Sequence, residues 1–432
     1  MRRREWLDVA IVAGVAALTN FVYCALSNGD YFFPDSIGYI APAQNILRGL
    51  GFFAEPNVVE TMRTPGYPLL LAAFSTKTLP VIVLQHLLNV ALCAGIYLVA
   101  RRRVSRFAGI VAGLLLAFDT PTIHLANKIL TETLFTAVLF IVFVLALDAR
   151  HLLAAGALTG ALVLIRPVAI AYFVVLAAFF VWQRIRWQQV ATFVCISLVL
   201  PIAWAARNAF HTGVFTVASI SGTNLMIHRA AGTLAILDGG DFKNALKRHQ
   251  SELKAQADAE VLANEDVENA EDVDHAVMAR YAARIAWPII LAHPLAYTVL
   301  TARGIAVNFL DSDADAIVIV SRLPPLLVRA LVTAFTAALF LLAAFGVGVM
   351  WRRDRPLALL IAMTVAYFIL ISAGGESEYR FRVPIMPQVV IAAAAGVEAM
   401  TRRARRLLRL VGLRAVSDVA NSRDAGCDEQ RR

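Results

Sequence analysis

The chain has 432 residues, of which 59% are hydrophobic and 16% charged, with a mean hydropathy of +0.67 and a formal net charge of +9. Soluble domains run at roughly 45–50% apolar and about 25% charged. This balance excludes a soluble globular protein and predicts an all-α polytopic membrane protein.

The apolar residues gather into runs long enough to cross a hydrocarbon core of roughly 30 Å. In chain order they are 7–26, 79–100, 107–120, 131–147, 152–165, 167–182, 190–206, 326–350, 357–373 and 384–400, about ten spans. Those at 107–120, 152–165 and 167–182 are short or interrupted by polar residues. No small-x-small cleavage site follows the first run, so it reads as a retained span and not a signal peptide. Arg2–Arg4 precede it, which places the N-terminus in the cytoplasm by the positive-inside rule. Alternating spans then put Arg101–Arg103, Arg106, Arg150, Arg184, Arg186, Arg352, Arg353, Arg355 and the tail from Arg402 on the same side. About 22 of the 40 Lys and Arg fall there, with about 9 of the 31 acids, so the charge divides as roughly +13 inside and −4 outside. Four cysteines (Cys24, Cys93, Cys195 and Cys427) lack metal or pairing spacing and read as small apolar fillers.

Four regions follow from this layout. Residues 1–206 form an N-terminal transmembrane module whose first outward loop, 27–78, is large. Residues 207–325 form a second outward region with interfacial helices. Residues 326–400 hold the last spans, and 401–432 is a basic cytoplasmic tail of disordered character, suited to anionic lipid. In the first loop, Pro34-Asp35-Ser36 predicts a helix start, with Asp35 or Ser36 as N-cap, and Gly49 and Gly51 stop it. Arg63-Thr-Pro-Gly-Tyr-Pro then makes a turn that returns the chain to the membrane. In the second region, Phe242–Ala263 has helical spacing, 265–274 is an acidic solvated run, and Ala276–Leu300 reads as an interfacial helix.

Asp35 is the leading chemical candidate. It lies beside Tyr31, Phe32, Phe33 and Tyr39 near the mouth of the first span, where partial desolvation would raise its pKa and improve it as a base. Arg63, Lys128, Arg166, Arg207, Arg380 and Arg382 sit at the outer ends of spans. Singly, each reads as a side chain snorkelling to the interface. Together at one cavity they would suit a phosphate, which arginine grips with two parallel N–H groups. Glu132 and Glu378 add acidic positions on the same side. The histidines have no ligand spacing and no glycine-rich phosphate loop is present, so a nucleotide-driven cytoplasmic mechanism is not expected.

These motifs together resemble the GT-C glycosyltransferases, in particular the bacterial group related to dolichyl-phosphate-mannose–protein mannosyltransferases and aminoarabinose transferases. The residues that carry it are Asp35-Ser-Ile-Gly-Tyr39, Gly49-Leu-Gly-Phe52, Arg63-Thr-Pro-Gly-Tyr67-Pro68, Thr131-Glu132, Trp204-Ala-Ala-Arg207-Asn208 and Glu378-Tyr-Arg380-Phe-Arg382-Val-Pro384. The resemblance reaches to about residue 400. It implies transfer of a sugar, with inversion, from a polyprenyl-phosphate donor to a lipid, glycan or protein acceptor on the periplasmic or extracellular face of a bacterial inner membrane. Asp35 matches the family's catalytic carboxylate in the first outward loop, and Ser36 stands where some relatives carry a second acid. Arg63, Arg380, Arg382, Lys128 and Arg207 would hold the donor phosphate, while Tyr39, Tyr67, Glu132 and Glu378 would position sugar or acceptor. No cofactor is expected, a divalent metal stays compatible, and no nucleic-acid partner is implied. The rival reading is a lipid or sugar transporter or flippase, which fits many spans with charged residues. Such proteins usually keep those charges near the midplane and often show inverted repeats, whereas here they cluster at the outer mouths.

Overall fold

The computed structural model describes residues 3–55, 58–311 and 324–406. The basic tail lies largely outside the described residues, as does 312–323 of the second outward region.

All ten apolar segments fold as helix. The first is α1 (Arg3–Leu26). After the first outward loop come α4 (Thr78–Arg103), α5 (Arg106–Ala117), α6 (Thr120–Ala126), α7 (Glu132–Asp148), α8 (Leu152–Ile165), α9 (Tyr172–Trp182) and α10 (Trp187–Thr212). Beyond the second outward region lie α16 (Pro325–Trp351), α17 (Arg355–Ile371) and a final helix, α18, over 386–406. Five described helices are long and apolar enough to cross a membrane, or seven if each bent pair is one span. One bent pair is α5 and α6, which meet at 55° around Asp119. At a rise of 1.5 Å per residue, the 14 residues of α8 reach only about 21 Å, so the short runs noted in the sequence are short helices.

The helices pack through small residues. Most fully buried side chains of the main core come from α4, α7, α9, α17 and α18, including Tyr97, Phe135, Phe143, Tyr172 and Val390. Charged residues sort to one end of this bundle. Asp8 accepts two hydrogen bonds from Arg106 and one from Tyr97, and Arg103 joins Asp148 to Asp354. These residues come from five separate span ends, those of α1, α4, α5, α7 and α17. Their meeting agrees with the alternation read from the charges.

The opposite end carries the two outward regions. In the first, a 3₁₀ turn (Pro34–Ser36) leads into α2 (Ile37–Leu47), which ends before Gly49 and Gly51, both at positive φ. A small antiparallel hairpin pairs β1 (Phe53–Glu55) with β2 (Val58–Val59), and α3 (Gly66–Ala73) returns to the bundle. A Cβ at Gly66 would lie 2.7 Å from the Leu164 carbonyl oxygen, so only glycine lets α3 approach the end of α8 this closely. The second region holds α11 (Ile220–Asn224), a π turn (Leu225–Ala230), α12 (Ala231–Asp238), α13 (Phe242–Asn264), α14 (His275–Ala292) and α15 (Pro294–Leu310). The single interfacial helix expected over 276–300 is instead two helices at 102°, broken where Pro294 cannot continue the chain of α14. A satellite core of Met226, Ala230, Leu253, Ala282 and Ile285 holds this region together.

Candidate active site

The first loop is pinned at both ends before it presents any chemistry. Ile129 N–H donates to the Tyr31 carbonyl at 2.8 Å, and Ser36 Oγ donates to the Ile129 carbonyl at 2.9 Å. Downstream, Arg207 donates to the carbonyls of Phe52 and Glu60, and Ser219 N–H donates to the Thr61 carbonyl. Below lies an apolar seat of Leu125, Leu130 and Val383, against which Phe33, Tyr39 and Tyr379 pack.

On this seat Asp35 meets two arginines. Arg63 Nη2 donates to Oδ1 at 2.9 Å and Arg380 Nη1 donates to Oδ2 at 2.8 Å. The first arginine lies 28 residues away and the second 345. Arg63 also lies over the Tyr39 ring, 4.9 Å from its centroid. Glu378 Oε2 sits 2.8 Å from Arg380 Nε, but that N–H is not aimed at it and stays buried without a hydrogen bond. Asp35 makes no helix cap; the N–H of Phe33 is satisfied by Ser36 Oγ instead.

The electrostatics correct one expectation. Burial is the largest single influence on Asp35 and pushes its carboxyl up, but the Arg380 hydrogen bond and the charges of Arg63 and Arg380 outweigh it. The net shift is downward, so Asp35 is a firmly ionised carboxylate here and not the raised base that its aromatic neighbours suggested. Glu378 moves the other way: burial raises its pKa, Arg380 opposes, and Asp311, Glu132 and Asp35 add repulsion.

The remaining candidates take supporting positions. Glu132 is buried and lies 2.8 Å from Arg166 Nη1. Breaking such a pair leaves an uncompensated buried charge, at a cost of about 3–5 kcal/mol. Tyr67 is fully buried, donates to Gln85 Oε1 at 2.7 Å, and packs edge-on against Tyr39, so it backs the site without facing it. Arg382 is buried and donates to the carbonyls of Asn308 and Asp311. Together with the bonds of Arg207 already described, this makes both residues backbone anchors and leaves the convergence on Asp35 to Arg63 and Arg380. Lys128 is buried at the loop base, 2.7 Å from Asp30. Among the described residues no group of three or more His, Cys, Asp or Glu is placed to hold a metal ion.

Two residues escaped the sequence reading. Glu60 is buried, its Oε1 accepts the Arg63 N–H at 2.8 Å, and burial raises its pKa. Its place three residues before Arg63 was the available signal. Arg229, in the π turn, donates through Nε and Nη2 to Glu376 Oε1 at 3.2 and 3.0 Å, and through Nη1 to Tyr297. A Cβ at Gly375 would fall 2.4 Å from the His228 carbonyl oxygen, which shows how tightly this turn and the last outward loop are apposed. No sequence pattern marked that pair.

No protein-family model matches the chain, and no curated protein matches it. Solved structures do. The archaeal oligosaccharyltransferase AglB from Archaeoglobus fulgidus, in complex with an inhibitory peptide and a dolichol-phosphate, superposes at a TM-score of 0.53 with 12% identity over 95% of this chain. An Archaeoglobus fulgidus oligosaccharyltransferase tethered with an acceptor peptide gives 0.52 with 12% identity over 93% of this chain. The chain covers 52% and 50% of those two structures, so it spans about half their length. ArnT from Cupriavidus metallidurans bound to undecaprenyl phosphate covers 90% of this chain and 77% of its own at 13% identity, with a TM-score of 0.41, below the level at which a shared fold follows. The chain is thus an all-α, multi-pass membrane protein that shares the fold of this archaeal oligosaccharyltransferase.

Proposed function

We propose that this protein is a membrane glycosyltransferase that takes a sugar from a polyprenyl-phosphate donor and transfers it, with inversion, to an acceptor hydroxyl. The observation that carries this reading is the convergence of Arg63 and Arg380 on one carboxylate, Asp35, at the outward mouth of the bundle. Paired guanidinium groups suit a leaving phosphate, whose developing charge they neutralise in a partly dehydrated site. Asp35 takes the proton of the acceptor hydroxyl. The oxygen attacks the anomeric carbon, the bond from that carbon to the phosphate oxygen breaks, and its electron pair leaves on the polyprenyl phosphate. Tyr39 and Glu378 border the reacting groups. Glu132, Tyr67, Arg207, Arg382 and Lys128 hold the loops that carry them. The charge asymmetry favours cytoplasmic termini and a periplasmic site in a bacterial inner membrane. Acceptor choice falls to the second outward region, 207–325.

The test is transfer of labelled sugar from a lipid-linked donor by membranes carrying Asp35→Asn. Removal of a general base typically costs 10²–10⁴-fold, so turnover should drop at least about 100-fold. Turnover equal to the unsubstituted protein removes Asp35 from the role of base.

A further inference from the structure

Neither Arg63 nor Arg380 stands free of a carboxylate. Both Asp35 oxygens are engaged, one by each arginine, and Glu378 lies against the third nitrogen of Arg380. Yet the Arg380 Nε–H is buried without a hydrogen bond, so Arg380 holds a donor that the carboxylates do not fill. A guanidinium meets a carboxylate and a phosphate through the same planar pair of N–H groups. Asp35 therefore sits where the oxygens of a phosphate would sit. Two anions on the same two arginines would repel each other at close range.

We propose that the Asp35 carboxylate is a placeholder for the phosphate of the lipid carrier, so that carrier binding exchanges the carboxylate for phosphoryl oxygens on Arg63 and Arg380 and releases Asp35 to accept a proton. The proposal rests on the glycosyltransferase reading. It makes the base available only once the donor is seated, which orders the reaction with donor before acceptor. It also accounts for a carboxylate that is too well stabilised at rest to be a good base. After Asp35 takes the acceptor's proton it is neutral and does not compete for the arginines. Once that proton is lost, the returning carboxylate displaces the spent carrier. No covalent bond changes in the exchange itself.

Binding of undecaprenyl phosphate to the purified full-length chain in detergent tests this, with Asp35→Asn, Glu378→Gln and Arg380→Gln beside the unsubstituted protein. Asp35→Asn should bind the carrier about tenfold more tightly while losing transfer, a gain of about 1.4 kcal/mol. Glu378→Gln should tighten binding by a smaller factor, and Arg380→Gln should weaken it. Inorganic phosphate should follow the same order, and undecaprenol, which lacks the phosphate, should not distinguish Asp35→Asn from the unsubstituted chain. Unchanged or weaker carrier binding by a folded Asp35→Asn, or tightening toward undecaprenol as well, overturns the exchange and leaves the transferase reading standing. If Asp35→Asn does not fold, Glu378→Gln carries the test, and no tightening there overturns the exchange. An unsubstituted chain that binds no polyprenyl phosphate, indifferent to Arg380→Gln, overturns the transferase reading itself.

Discussion

Asp35, Glu60 and Glu378 are three carboxylates in outward loops whose surroundings push them in different directions. Asp35 is held ionised by its arginines, while burial raises Glu60 and Glu378. The sign of each consequence follows from linkage. Glu60 has a folded-state pKa above its unfolded value, so its contribution to stability is fully present below pH 4.5 and is lost as pH rises through the folded value. Glu60→Gln keeps an oxygen to accept the Arg63 N–H and removes the buried charge. Thermal melts should therefore find this variant at least as stable as the parent at pH 7 and show a smaller fall between pH 4.5 and 7. A variant clearly less stable at pH 7 contradicts the assignment of a strained buried carboxylate. At this scale the sequence was informative about Asp35 and Arg63, which share one loop. It offered Arg380 as a candidate but not its pairing with Asp35, because a contact across 345 residues leaves no local pattern. Arg207 and Arg382 are ambiguous for a related reason: an arginine aimed at a phosphate and one donating to backbone carbonyls look alike in one dimension.

Among the elements, the last outward loop is the least self-sufficient. Glu378 and Arg380 follow a short segment with little secondary structure, and the segment is held from outside by Arg229 in the π turn. Arg229 and Glu376 are both mostly buried, and Arg229 also reaches Tyr297 and the Ile371 carbonyl. A π turn inside a helix often marks a functional position, and here it brings Arg229 over the loop. Lysine would keep the charge and lose the two-pronged donation. Arg229→Lys and Glu376→Gln should each cost about 2 kcal/mol in transition-state stabilisation, roughly 30-fold in kcat/KM. The double variant should lose little more than either single one, since both break the same contact. Full additivity, measured by transfer assay on the four proteins of the cycle, contradicts a direct coupling. The stop of α2 was legible from Gly49 and Gly51, and the extent of α13 from its helical spacing. The π turn was not, because no residue type marks its register shift.

For the whole molecule, hydropathy located the apolar helices, and charge counting grouped helix ends that the structure brings together. The structure adds that several apolar runs fold as short helices or bent pairs, something composition blurs because a break such as Asp119–Thr120 sits inside an apolar run. The same global arrangement puts the first and last outward loops on one apolar seat, so a site is assembled from residues far apart in the chain, Asp35 and Arg380 among them. The central claim is that this site transfers a sugar from a phosphate-linked lipid through Arg63 and Arg380. Its most direct test uses purified full-length protein in lipid nanodiscs with a panel of labelled undecaprenyl-phosphate sugars and envelope acceptors, following labelled product and released undecaprenyl phosphate together. The account predicts that the two appear in equal amounts for one donor, and that Arg63→Gln and Arg380→Gln each lower the rate at least about 100-fold. Transfer undiminished in both variants, or no release of undecaprenyl phosphate from any donor, would contradict it.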